Sequence, residues 1–278
     1  MIFRLAWSVV RALFVVVFIA LPSVLLPGTT QDAAQIIALV AIFGSALTIF
    51  EYASSYPGLV EFRDAPPFNR IRFGSIFISV LLLTMIARGL ISPGYWSGMI
   101  TDTGTLIGNI IDFPYSPVRL VVLMLPDDAT VQHVDLVRAA AGLSFLVSLL
   151  TLALFLIFVR ITGWPLSSGT FNVWVNLPTF DPTAGGDVVE RLERDARFNI
   201  ALGFLFPFVM PAIVKSASSL FAAVSLDNPQ TLIWTVAAWA FLPTSLFMRG
   251  IAMARIAHMI EDKRKQALVG HDSEFSLV

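Results

Sequence analysis

Residues 187–221 read DVVERLERDARFNIALGFLFPFVMPAIVKSASSLF. A charged helix runs here without a break into an apolar stretch that carries two prolines and one lysine. Asp187 and Glu190 stand at capping-box spacing, which predicts a helix start. Glu190 with Arg194 and Glu193 with Arg197 place acid before base at i,i+4, the favourable order on a helix surface. From Ile200 the chain stays apolar for about 25 residues, enough for a tilted bilayer crossing. Hydrocarbon offers backbone groups no partner, so such a run must be helical. The fold class follows: an all-α polytopic membrane protein.

Composition extends that reading to the whole chain. Of 278 residues, 56% are hydrophobic and 13% charged, and the mean hydropathy is +0.80. Soluble domains carry about 25% charged residues. The chain has no Cys, which excludes disulfide frameworks, thiolate metal sites, iron–sulfur clusters and cysteine nucleophiles. Its three histidines, His133, His258 and His271, are too scattered for a metal constellation. No basic and aromatic surface suited to nucleic acid stands out.

Six spans are expected in a single bundle covering residues 1–278, at about 8–27, 33–52, 73–91, 139–161, 200–224 and 231–248, each near the ~20 residues of a helical crossing. A tail, 249–278, follows, its helical pattern continuing into EDKRK before a polar end. A cleaved signal peptide is the competing view of the N-terminus, but the apolar run is long and no small-x-small site follows Leu21. The second connection carries Arg63, Arg70 and Arg72, the fourth Arg191, Arg194 and Arg197, and the tail Arg255, Lys263, Arg264 and Lys265. The first and fifth connections have no Lys or Arg, and the third is mainly acidic. The positive-inside rule then puts both termini in the cytoplasm of a bacterial inner membrane.

The third connection, 92–136, is expected to hold an outer-face amphipathic helix between the third and fourth spans. Met99, Ile100, Leu106, Ile107, Ile110 and Ile111 form one face, and Asp102, Thr105, Asn109 and Asp112 the other. The run PVRLVVLMLP, 117–126, is too short to cross and reads as interfacial, with re-entry as the alternative. In the fourth connection, residues 170–178, TFNVWVNLP, alternate as a short strand does, and Trp164 and Trp174 suit an aromatic belt.

Two candidate sites emerge. Within the fifth span, Pro207, Pro211, Lys215 and Ser219 recur every fourth residue and form one stripe, with Ser216 beside Lys215. Each proline removes a backbone donor, so the carbonyls of Gly203 and Pro207 lose their helical partners. Lys215 falls near mid-span, where a charge costs roughly 2.5–3.5 kcal/mol. Three readings of it stay open: satisfaction by those carbonyls, contact with another chain, or ligand binding. The second candidate is a cytoplasmic cluster of Glu51, Arg63, Asp64, Arg194, Asp195 and Arg197, with the 61–72 stretch near it; a solvated charged face is the competing and favoured account of the same residues. Arg11, Arg88, Arg138 and Arg160 lie near span ends and read as snorkelling anchors.

An echo links the two cytoplasmic stretches: Arg63-Asp64-Ala65 before Phe68-Asn69, and Arg194-Asp195-Ala196 before Phe198-Asn199. A parallel duplication of a two-span hairpin and chance convergence both account for it. Small-residue pairs at Ala41/Ser45, Ala140/Ser144 and Ala237/Ala240 favour close helix contacts. HExxH, GxSxG, Walker A and GxGxxG motifs are all missing. The expectation is a non-catalytic accessory, scaffold or assembly subunit with no metal or cofactor, whose partners are membrane lipids and other membrane-protein subunits. The rival is a transporter or channel for a small anion or lipid-like substrate on the Pro207/Pro211/Lys215 face.

Overall fold

A computed structural model describes residues 2–165, 172–181, 183, 185–221 and 226–275. They are all-α, with no strand among them. Six helices are long and apolar enough to cross a membrane. These are α1 (Ile2–Leu25), α2 (Gln31–Ala53), α3 (Phe68–Ile91), α6 (Val131–Thr162), α8 (Val188–Phe221) and α9 (Pro229–Phe275). Between α3 and α6 come α4 (Tyr95–Ile111) and the short α5 (Pro117–Val122); α7 (Val173–Asn176) is a single turn.

The helix starts follow local chemistry. Thr30, Ser116 and Thr130 each accept a backbone N–H from the first turn they precede. Asp187 does the same for Val189, so α8 begins where its acid spacing predicts. Residues 222–224, the expected end of the fifth span, lie outside the described residues. The helical pattern expected into EDKRK is there, and α9 runs on through the polar stretch to Phe275.

The interior falls into two cores. One is built on Val80, Leu83, Val137, Ala140, Leu232 and Val236, and α5 inserts Val118 and Val121 into it. Val118, Val121 and Leu125 of the 117–126 run pack into that core, while Leu123 is exposed. The second core, at the arginine-rich end, stacks Phe62, Phe68, Phe155 and Trp164 against Leu192, Met248, Met253 and Ile256. Trp164 is thus not a belt residue; it is 1% exposed and donates its Nε1–H to the Ala65 carbonyl at 3.2 Å.

The 170–178 stretch is not strand-like either. Val173–Asn176 forms a helical turn, in which the Asn176 N–H and Nδ2 both reach the Asn172 carbonyl. A lone strand would leave its backbone edge unpaired, whereas this turn docks on residues 62–64 through Asn176. Thr170, Phe171 and the side chain of Trp174 lie outside the described residues.

The amphipathic helix exists but packs by a different face. Met99, Leu106 and Ile110 are exposed, and the buried stripe is Ser97, Gly104 and Gly108. A Cβ on Gly108 would stand 2.7 Å from the Arg138 carbonyl oxygen, and one on Gly142 would stand 2.5 Å from the Gly108 Cα. The Gly104–Gly108 spacing lets α4 touch α6 backbone to backbone, as small residues allow. Of the expected small pairs, Ala140, Ser144, Ala237 and Ala240 are buried in the bundle, and Ala41 is buried without Ser45.

Helices α8 and α9 form an antiparallel pair from Pro207 against Trp239 to Asp187 against Arg264. Gly203 and Gly250 permit the approach: added Cβ atoms would lie 3.0 Å from the Pro243 oxygen and 2.8 Å from the Ala196 oxygen.

Candidate functional site

The intramembrane stripe is built by helix geometry. Pro211 has no N–H, so the Pro207 carbonyl lacks its helical donor. Trp239 Nε1–H of α9 fills that place at 3.1 Å, buried between the helices. Lys215 does not use the freed carbonyls. Its Nζ donates to the Leu123 carbonyl at the end of α5, 2.7 Å away, and the side chain is exposed. The reason is reach: Lys215 stands eight residues beyond Pro207, or ~12 Å of helix, and Trp239 already holds that carbonyl. Ser216 donates to Ala212 within α8, and the side chain of Ser219 lies outside the described residues. Beside Pro211 lies an apolar cavity of about 120 Å³ lined by Val121, Met124, Met210, Leu226 and Trp239.

The six residues expected to cluster split into two sets. Glu51 folds the next loop around itself: its carboxylate accepts the N–H groups of Gly58, Leu59 and Val60 at 3.1, 2.9 and 3.0 Å. Arg63 secures the same loop, donating to the carbonyls of Glu51 and Ser54 and to Asp64. Arg194, Asp195 and Arg197 do not join them. They face outward on α8, with Arg194 and Arg197 both 71% exposed and paired, among the described residues, with Asp195 and Glu193. The face of α8 turned toward α9 carries Leu192, Ala196 and Asn199, which leaves those charges on the solvent side.

A cluster the sequence did not isolate lies deeper. Glu61, nearly buried, receives Arg249 Nε at 2.7 Å and Nη2 at 2.9 Å, a bidentate pair. Thr179 Oγ1 donates to the same carboxylate at 2.7 Å. Arg249 Nη1 continues to Asn199 Oδ1 at 3.0 Å, and Asn69 Nδ2 donates to the Glu61 carbonyl at 2.7 Å. Two loops and helices α3, α8 and α9 thus meet on one charge pair. Arg72 lies alongside, its guanidinium 5.4 Å from the Phe68 ring and 5.8 Å from Phe241. The signal was weak: Arg249 borders the last apolar run and Glu61 sits in a charged loop, 188 residues away in sequence.

The two halves of the echo differ in this setting. Asn69 and Asn199 both reach the Glu61–Arg249 cluster. Phe68, however, is fully buried where Phe198 is 63% exposed, and Arg63 points inward where Arg194 points out.

At the opposite end, Asp112 closes α4 and holds Arg119 Nε and Arg138 Nε, each at 2.7 Å. Asp112 therefore ties the end of α4 to α5 through Arg119 and to α6 through Arg138. Among the described residues no three His, Asp or Glu side chains gather as a metal site requires. The chain matches no protein-family model, no curated protein and no solved structure.

Proposed function

We propose that this chain is a non-catalytic multi-pass protein of a bacterial inner membrane, with both termini in the cytoplasm, acting as an accessory, scaffold or assembly subunit of a membrane complex. The supporting observation is the use made of its inner charges. Glu61 with Arg249, and Asp112 with Arg119 and Arg138, each join separate elements. Charges held in this way stiffen a frame. Membrane lipids and other membrane-protein subunits are its partners. Extraction in mild detergent followed by cross-linking and mass spectrometry tests the role. A stoichiometric membrane-protein partner is the expected result, and a lone monomer carrying neither protein nor lipid overturns it.

The second reading is a transporter or channel for a small anion or lipid-like substrate on the Pro207/Pro211/Lys215 face. The apolar cavity against Pro211 favours it, since such cavities suit apolar ligands. Uptake into proteoliposomes that is lost in Lys215→Met would establish this reading over the first.

A further inference from the structure

Near the arginine-rich end of the bundle, α1, α2 and the loop that follows α2 line an open pocket of about 220 Å³, formed by Arg4, Trp7, Arg11, Tyr52, Arg63 and Asp64. Arg4, Trp7 and Arg11 follow each other at i, i+3 and i+7 and so share one face of α1. The Arg11 guanidinium lies 4.4 Å from the centre of the Tyr52 ring, which fixes its plane. Arg63 forms the wall and has its donors engaged with backbone carbonyls and Asp64; its side chain is 5% exposed. Asp64 faces Arg63, so three guanidiniums meet one carboxylate that is already paired. Among the described residues, Arg4 and Arg11 have no carboxylate within ion-pair distance.

We infer that this pocket binds a phosphate group, supplied by the headgroup of an anionic phospholipid. Two planar guanidiniums match the oxygens of a phosphate. The position selects a lipid source. Trp7 is 59% exposed at the charged end of an apolar helix, where interfacial tryptophans stand. Phe14 continues the same face into the exposed apolar surface of α1, where acyl chains would lie. A basic pocket between transmembrane helices is the setting in which anionic headgroups are held. This inference rests on the membrane placement and lipid partners of the proposed function, and it holds whether the role is scaffold or transporter.

The test uses the full chain in nanodiscs of phosphatidylcholine containing a minority of phosphatidylglycerol, with bound lipid counted by native mass spectrometry. Wild type should enrich phosphatidylglycerol. An Arg4→Gln/Arg11→Gln variant should lose about 30-fold in relative affinity, roughly fivefold per arginine. An Arg194→Gln/Arg197→Gln variant removes as much charge from the exposed face of α8 and should leave the enrichment unchanged. Tyr52→Phe, which keeps the ring beneath Arg11, checks that the fold survives changes at the pocket and should retain most of the binding. Inorganic phosphate is added in a separate arm. Displacement of the lipid by millimolar phosphate would reassign the site to a soluble phosphate and overturn the lipid source. Equal enrichment in wild type and the Arg4/Arg11 variant would overturn the site itself.

Discussion

Arg249 shows what a single charge does at the edge of this bundle. Its two bonds to Glu61 hold a carboxylate that has little contact with solvent. Removing one partner of such a pair leaves the other charge buried, which costs about 3 kcal/mol, the low end of the usual range, because Arg249 is 28% exposed. Arg249→Met should destabilise by that amount in equilibrium detergent unfolding. A Glu61→Leu/Arg249→Met double variant should recover most of the loss, since neither charge is then stranded. A loss in the double variant equal to the sum of the losses in Glu61→Leu and Arg249→Met alone would show that the pair is not coupled. Lys215 is the contrasting case. Its single hydrogen bond is to a backbone carbonyl and its side chain is exposed, so Lys215→Met should change stability by less than about 1 kcal/mol.

Among elements, α4 and the α8–α9 pair carry the sharpest expectations. The Cβ added by Gly142→Ala would overlap the backbone of Gly108, which has no flexible end to move aside. Overpacking of that kind costs about 1–3 kcal/mol. Hydrogen exchange should therefore accelerate across Tyr95–Ile111 in this variant, while α8 and α9 stay protected. Protection of α4 equal to wild type would mean that the contact is not close. At the far end of the α8–α9 pair, Asp187 accepts the Val189 N–H and pairs with Arg264. Those contacts hold its carboxyl below the usual 3.8. A depressed acid contributes stability above its unfolded value and loses it as pH falls through the folded one. The tie between Asp187 and Arg264 should therefore persist at neutral pH and release only in acid below the ordinary aspartate range. Exchange at residues 188–191, compared between wild type and Asp187→Asn as pH is lowered, reads this directly: the two should converge only in that acid window.

For the whole molecule, the consequence concerns sidedness. Loop 54–67, residues 172–181, the start of α8 and Arg249 gather at one end, while Asp112, Arg119 and the start of α6 gather at the other. Single cysteines at Ser55 and Arg194 should react together with a membrane-impermeant reagent from one face, the cytoplasmic one under the proposed orientation. A cysteine at Asp102 should react only from the opposite face. Labelling of positions 55 and 194 from different sides would contradict the bundle. Helix α9 continues some 27 residues past Met248, or ~40 Å, and its contacts with α8 carry the helical pair beyond the apolar spans.

Much of this architecture was legible in the chain alone. Long apolar runs and backbone satisfaction in hydrocarbon require six helices, and the Asp187 cap sets where α8 begins, because both are properties of contiguous residues. The faces were not legible in the same way. In lipid, large apolar side chains are satisfied outside the protein, so the apolar stripe of α4 did not say which side would pack, and the glycines took that place. The pairing of Glu61 with Arg249, the reach of Lys215 to Leu123, and the separation of Arg63 from Arg194 depend on which helix lies against which. Local spacing sets none of these, because each joins residues far apart in the chain. They became readable only once tertiary packing had brought α3, α5, α8 and α9 together.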